Sequence, residues 1–335
     1  MRNATGSSPQ IGRRRFLRIC AAGAAGLALP AMASAQDKAQ LHRWRGIALG
    51  AGAEINLLHA DAGEAQRLFA RIEAEIRRLE AIFSLYRPES ELVRLNAEGR
   101  LKAPSLEFVD LLSLCASVHR ATGGAFDPTV QPLWAHYARQ AADGTGTGFE
   151  AARRSTGFRH VSVEPAEIRY LRPGMAMTLN GIAQGYVTDR ISFFLSASGC
   201  RDILVDLGEI AARGMPEADL AAGNGWPVTL RPVAGRPSAD AKIRLKDASV
   251  ASSAKLGTTF DQAGRRSHIL DPRSGLPVEG GLAGASVIAP NAALADGLST
   301  AALVCGEEGL AAALAEFRQA RAFVVREDGT TGWLG

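Results

Sequence analysis

Asp296 and Thr300 stand four residues apart in Leu294-Ala-Asp296-Gly-Leu-Ser-Thr300-Ala-Ala-Leu-Val304. On a helix that spacing places a carboxylate and a hydroxyl on one face. Both offer the oxygen ligands that Mg²⁺ prefers. Taken alone, the pair fits better a plain helix whose Asp caps its start and whose Thr bonds back to a carbonyl. A second cluster, Ser267-His268-Ile-Leu270-Asp271-Pro-Arg273-Ser-Gly275, crowds His, Asp and Arg into a turn. His268 and Asp271, three apart, suit proton transfer, and Arg273 suits a phosphate or carboxylate. A turn bonded by its own Asp explains the same residues.

Three further segments are too polar or too rich in glycine to be explained by core packing. Leu179-Asn180-Gly181-Ile-Ala-Gln184-Gly185 reads as a strand-to-helix junction. Its glycines let backbone approach a ligand closely, and the helix start offers N–H groups to an anion. Gly123-Gly-Ala125-Phe126-Asp127-Pro-Thr129 sets an aromatic and an acid in a loop stiffened by Pro128, or forms a capped turn. Tyr86, before Arg87-Pro88, closes a long helix in the manner of a half-buried packing tyrosine.

The elements that must position these groups are partly visible. Ala65, Leu68, Ile72, Ile76, Leu79 and Phe83 recur every three or four residues, which predicts an amphipathic helix. Another is predicted from Ser105 to Thr122, stopped by Gly123-Gly124. Further helices are expected over 183–198, 294–304 and 308–319, and strands over 46–58, 160–163, 203–205, 228–230, 249–252 and 284–288. Without a regular alternation of strand and helix, the pattern favours an α+β fold over a doubly wound parallel sheet. Gly144-Thr-Gly-Thr-Gly148 reads as a flexible loop, since no P-loop lysine or helix follows it.

Residues 1–35 read as a twin-arginine export signal: Arg13-Arg-Arg15-Phe-Leu-Arg18, an apolar run from Ile19 to Met32, then Ala33-Ser-Ala35. The apolar run is shorter than the roughly 20 residues a spanning helix needs. This predicts a mature chain of residues 36–335, forming one domain, exported to the periplasm and without an integral membrane segment. Of the 38 Lys and Arg residues, five fall in the leader, which holds none of the 34 acids. The mature chain thus carries 33 bases against 34 acids, so there is no electrostatic case for nucleic acid or a polybasic membrane contact. Cys115, Cys200 and Cys305 lack C-x-x-C spacing, which argues against a disulfide framework or a zinc site.

The segments occur in a telling order: Tyr-Arg-Pro-x-Ser-Glu-Leu, Gly-Ala-Phe-Asp-Pro-Thr-Val, Asn-Gly-Ile-Ala-Gln-Gly-Tyr, Val-Asp-Leu-Gly-Glu, Ser-His-Ile-x-Asp-Pro-Arg-x-Gly and Ala-Asp-x-x-x-Thr-Ala. Across nearly all of the mature chain this resembles the ApbE family of FAD:protein FMN transferases. The resemblance implies T-fold-like mixed sheets packed with helices, with flavin in a cleft between two halves. It implies Mg²⁺ held by Asp296, Thr300 and the Gly181 carbonyl, and FAD contacts at Ala125, Phe126, Asp127, Tyr86, Gln184, Leu270, Thr178 and Leu49. His268 and Asp271 match the family's His and Asp-Pro turn beside the pyrophosphate and are the catalytic candidates.

The chain also departs from the commonest family pattern. Thr178 stands where an Asp is usual, Gln184 replaces a Lys or Glu, and Ser299 replaces an acid that some members carry beside the metal Thr. Together with the leader, the Leu-Asn-Gly-Ile-Ala-Gln-Gly segment is similar to the NosX branch, associated with flavinylation of the membrane protein NosR. The implied reaction moves FMN from FAD onto a threonine in a Ser/Thr-Gly-Ala-Thr-like stretch of an exported or membrane-bound acceptor, releasing AMP. An FAD pyrophosphatase, with water as acceptor, and a non-catalytic periplasmic flavin-binding assembly protein are the alternatives.

Overall fold

The computed structural model describes residues 40–335 except 60, 145, 216–223 and 262; the leader and Cys20 lie outside the described residues. The chain opens with a hairpin, β1 (Gln40–Ala48) and β2 (Ala51–His59), then α1 (Ala62–Phe83), α2 (Glu91–Glu98), β3 (Arg100–Lys102) and α3 (Leu106–Ala121). Next come α4 (Gln131–Asp143), α5 (Phe149–Arg154), β4 (Val161–Glu164), β5 (Glu167–Tyr170), α6 (Ala183–Ala197), β6 (Ile203–Asp206) and β7 (Ile210–Arg213). The final third holds β8 (Trp226–Leu230), β9 (Ala241–Leu245), β10 (Ala248–Ala254), β11 (Leu282–Ala289), α7 (Ala292–Glu316), β12 (Arg321–Arg326) and β13 (Thr331–Leu334).

Eight strands form the main sheet in the order β1-β2-β6-β7-β10-β11-β12-β13, with β3-β5-β4 and β8-β9 as smaller sheets. Every pairing among them is antiparallel. Helices α1, α3, α6 and α7 gather their buried side chains with those of β2 and β6 into one large core. The opposite face of the main sheet packs Ile210, Val250, Ile288 and Phe323 against Trp226, Val228 and Leu245 of the β8–β9 hairpin. The fold is therefore α+β, with open sheets covered by helices.

Periodicity located the long helices well. Ser105 caps α3 through its side chain, and Asp61 caps α1. The expected break between two C-terminal helices is a kink at Gly306 (φ 69°) inside α7; the helix ends at Glu316, so 317–319 are not helical. The continuous strand expected over 46–58 is instead a hairpin turning at Leu49-Gly50. Leu49 takes a left-handed conformation (φ 48°) where Gly or Asn is usual. Its N–H donates to Glu80 of α1 at 2.9 Å, a tertiary contact that the local sequence does not reveal.

Helix α7 is long and apolar enough to cross a membrane by length and composition. Here it lies against β10, β11, α3 and α6, with Leu298, Ala301, Ala302 and Leu310 fully buried in the large core. The three described cysteines are free thiols.

Candidate active site

The junction before α6 and the first turns of α7 meet in one buried corner. Asn291, not Asp296, caps α7, accepting from the Leu294 N–H at 2.9 Å. Asp189 of α6 supplements it, accepting from Ala292 N–H at 2.7 Å and Ala293 N–H at 2.9 Å. Asp296 is thus released from capping and sits one turn inside, 4% exposed. Its Oδ2 accepts from the Gly185 N–H at 3.2 Å, so the carboxylate points at the N-terminus of α6, where the helix field favours negative charge. Burial pushes this carboxyl above its ordinary range, and the nearby Asp189 charge adds to the shift.

Thr300 turns its hydroxyl toward β10, where its Oγ1 lies 3.3 Å from Ser253 Oγ. That Ser253 hydroxyl is also 2.8 Å from Ser299 Oγ. Gly181 faces Thr300 so closely that a Cβ there would lie 2.9 Å from Thr300 Oγ1. Gly181, Asp296 and Thr300 are therefore brought together as expected, although Asp296 and Gly181 are far apart in sequence.

This corner fits a hard divalent cation. Its donors are a carboxylate, hydroxyls and a backbone close to them, all oxygen. Among the described residues no group of three or more His, Cys, Asp or Glu forms a self-sufficient cage. Mg²⁺ does not need one, because it keeps several positions for water or substrate phosphate.

Glu209 joins the same corner from the turn between β6 and β7. It is 7% exposed and accepts from the Ser252 N–H at 3.2 Å. Burial raises its carboxyl well above the ordinary value, with Asp296 and then Asp206 adding charge repulsion. Gln184 packs its amide against Gly208, where a Cβ would lie 2.9 Å from Nε2. Thr188 Oγ1 bridges the Gln184 and Glu209 carbonyls at 2.8 and 3.3 Å. Sequence reasoning assigned no role to Glu209, Ser253 or Asp189. The available signal for Glu209 was an acid ending Val-Asp-Leu-Gly-Glu between two apolar strands.

His268 hangs from the loop that leaves β10. Its Nδ1 donates to the Thr258 carbonyl at 2.7 Å. That contact puts the proton on Nδ1 and leaves Nε2 with a lone pair, an assignment inferred from the hydrogen bond. Burial lowers the imidazole pKa, partly opposed by the Thr258 contact, so the ring is neutral at pH 7. Asp271 does not orient His268. Both its oxygens accept from Arg273, Nε and Nη2 each at 2.9 Å, and it closes the turn to Gly275. Although burial acts the other way, Arg273 holds this carboxyl below its usual range. A side chain two residues away captured the acid before the one three away.

The flavin-loop candidates divide by atom. Ala125 and Phe126 are buried. Asp127 is tied within the protein, accepting from Thr129 N–H at 2.8 Å, Thr129 Oγ1 at 2.6 Å and Phe158 N–H at 2.9 Å. Leu270 packs with Leu133, Tyr137 and Ala152 in a small satellite core. These side chains are engaged within the protein and build the loops. The Thr178 N–H donates to the Pro128 carbonyl at 2.8 Å, which ties the Ala125–Thr129 loop to the Gly181 junction. Tyr86 is 59% exposed, not half-buried, because neighbouring Leu85 takes the packing place against the core. Leu49 is half-buried at the hairpin turn.

A cleft of about 530 Å³ joins the Gly123-Gly124 and Asp127 loop to Pro272-Arg273. His119, Arg120, Arg153, Thr156, Gly157 and Arg159 complete its wall. Its positive lining suits an anionic ligand.

Comparison with known proteins places this arrangement. The FAD:protein FMN transferase of Haemophilus influenzae is 29% identical over 259 residues, spanning 72% of this chain and 74% of its own. The FAD:protein FMN transferase of Treponema pallidum is 30% identical over 279 residues, 76% of each chain. The structure of "Flavin Transferase ApbE from Vibrio cholerae" matches with TM-score 0.76 at 25% identity, covering 88% of this chain and 96% of that one. The apo flavinyl transferase ApbE of Pseudomonas stutzeri matches with TM-score 0.73 at 27% identity, covering 89% and 96%. The family model described as "ApbE family" matches residues 49–324, which takes in every candidate site residue. The chain therefore belongs to the ApbE family.

Proposed function

We propose that this protein is an FAD:protein FMN transferase that uses Mg²⁺ and acts on a threonine of an acceptor protein. The observation that carries the reading is the convergence of Gly181, Asp296 and Thr300 in one oxygen-lined corner. Family membership and the curated relatives support the same activity. Asp296, Thr300 and the Gly181 carbonyl would hold the ion, which when bound neutralises charge on the pyrophosphate of FAD.

The chain's own residues account for the rest of the reaction. His268 Nε2 takes the proton of the acceptor threonine hydroxyl as its oxygen bonds to the flavin-side phosphorus. The anhydride bond to the adenylate phosphate breaks, and AMP leaves with that bridging oxygen. Arg273, held in place by Asp271, stands on the wall of the cleft as a cation for substrate phosphate. Backbone of the Ala125–Asp127 loop, together with Tyr86, Thr178, Gln184, Leu270 and Leu49, borders the flavin nucleotide. We further assign the acceptor to exported or membrane-bound proteins with a Ser/Thr-Gly-Ala-Thr-like stretch, NosR-type proteins among them. The twin-arginine leader would deliver residues 36–335 to the periplasm, where such acceptors display their sites.

Incubation of the protein with FAD, Mg²⁺ and an acceptor domain, read by intact mass, tests the proposal. Covalent FMN on the acceptor, lost with EDTA, is the expected result. Free FMN without modified acceptor would replace the transferase by a pyrophosphatase, and unchanged FAD would leave only a binding protein.

A further inference from the structure

The cleft beside the Ala125–Thr129 loop carries more positive charge than the flavin reading uses. Four arginines stand on its wall: Arg120 from the last turn of α3, Arg153 from the last turn of α5, Arg159 just beyond that helix, and Arg273 from the loop that carries His268. All four are exposed. Arg172 joins them at the exit of α5, where its Nη1 donates to the Arg154 carbonyl at 3.4 Å. A single arginine at a helix C-terminus is explained by the helix field. Here the ends of two helices are drawn to one cleft by contacts between distant segments. The Gly157 N–H donates to Thr129 Oγ1 at 2.7 Å, and the Phe158 N–H donates to Asp127 Oδ2 at 2.9 Å.

Little within the chain answers this charge. Asp127 is the one acid on the wall among the described residues, and it is turned inward to Thr129 and Phe158. Arg273 is held by Asp271, and Arg153 reaches Glu150 at 3.2 Å in an exposed pair that is worth little in water. Arg120 and Arg159 have no acid partner among the described residues. FAD does not account for them either, because its diphosphate carries two negative charges and the proposed function already sets a divalent cation and Arg273 against these. Small-ligand sites are mostly apolar and bury most of their ligand, whereas exposed charges steer and orient a protein partner.

We propose that this cleft docks an acidic segment of the acceptor protein, with Arg120 and Arg159 pairing with carboxylates that flank the target threonine. The inference rests on the transferase reading and names the surface by which the acceptor is recognised. A Ser/Thr-Gly-Ala-Thr stretch is itself uncharged, so the complement to these arginines lies in the residues beside it. Arg273 stands on the same loop as His268, and a segment held in the cleft thus leads its threonine to the loop that carries the base.

The test is fluorescence anisotropy of two labelled peptides on the purified protein with FAD, in EDTA and at low salt. One peptide carries Ser-Gly-Ala-Thr between aspartates, and the other has asparagines in their place. Wild type is expected to bind the aspartate peptide roughly five- to tenfold more tightly, the worth of two exposed ion pairs. That gap should close at high salt and in the double variant Arg120→Gln, Arg159→Gln, with FAD affinity kept within about twofold. Equal binding of the two peptides by wild type overturns the inference, and so does a gap that persists in the double variant. A double variant that loses FAD affinity about fivefold or more overturns it as well, by giving the cleft to the nucleotide. The transferase reading fails separately: an arginine-dependent preference for the aspartate peptide, without FMN transfer once Mg²⁺ is added, upholds the docking and overturns the transfer.

Discussion

The backbone N–H of Gly185 donates to the carboxylate of Asp296, 111 residues further along the chain, at 3.2 Å. The contact exists because α6 and α7 cross at very short range. A Cβ on Gly185 would lie 2.3 Å from the Ala292 carbonyl oxygen and 2.7 Å from the Ala293 Cα. Gly185→Ala is expected to destabilise the protein by about 3 kcal/mol, since both neighbours are backbone and cannot step aside. It should also displace Asp296. Denaturant melts and Mg²⁺ titration check both effects, and an alanine variant of unchanged stability would contradict the crossing.

Thr300 offers a cleaner separation of chemistry from packing. Thr300→Ser keeps the hydroxyl beside Ser253 and is expected to retain transfer at ordinary Mg²⁺ concentrations. Thr300→Ala removes the oxygen and should raise the Mg²⁺ concentration for half-maximal transfer on the order of 10- to 100-fold. Initial rates against Mg²⁺ concentration measure this, and equal curves for the two variants would remove Thr300 from the cation site.

The long helices were legible in the sequence because Ala65, Leu68, Ile72 and Ile76 repeat the helical period without interruption. The first hairpin was not, because its turn is held by Glu80 rather than by a turn-forming dipeptide. Helix α4 was hidden by Pro132 at its first turn, where proline is allowed although it reads as a breaker. At the site, Asp296 and Thr300 stood out by residue type and spacing, and Gly181 was placed beside them by the family resemblance. Their companions Glu209, Ser253 and Asp189 did not, since each reaches the corner only through strand pairing or helix crossing between distant segments. The His268 to Asp271 spacing misled for a related reason: spacing shows which groups are near, and Arg273 was nearer.

His268 should set the acid limb of the pH profile. Burial lowers its pKa from the usual 6.5, so the base stays unprotonated somewhat further into acid than a free imidazole. The acid limb of kcat is therefore expected below pH 6.5, with the rate flat from there to neutrality. His268→Asn should lower kcat by about 10²- to 10⁴-fold and abolish that limb. A limb retained in the variant would assign the proton transfer elsewhere.

Asp189 predicts how stability responds to pH. Burial pushes its carboxyl from 3.8 up to about 6, against the two α7 amides that favour the ionised form. The folded state therefore binds the proton more tightly than the unfolded chain. Its contribution is fully present below the unfolded pKa and is lost as pH rises toward about 6. The loss amounts to roughly 3 kcal/mol between pH 4 and 7. Asp189→Asn, which cannot titrate, should show a flatter dependence of melting temperature on pH over that range in EDTA. A slope identical to wild type would show that other groups govern it.

The link from Asp189 to the start of α7 also makes the cation corner depend on a late part of the chain. A nascent or truncated chain that stops before α7 already holds Gly181, yet has neither Asp296 nor Thr300, and leaves Asp189 without the amides it caps. On the proposed cation site, such a chain would lack two of the three ligands, and FAD turnover would wait on the packing of α7 against α6.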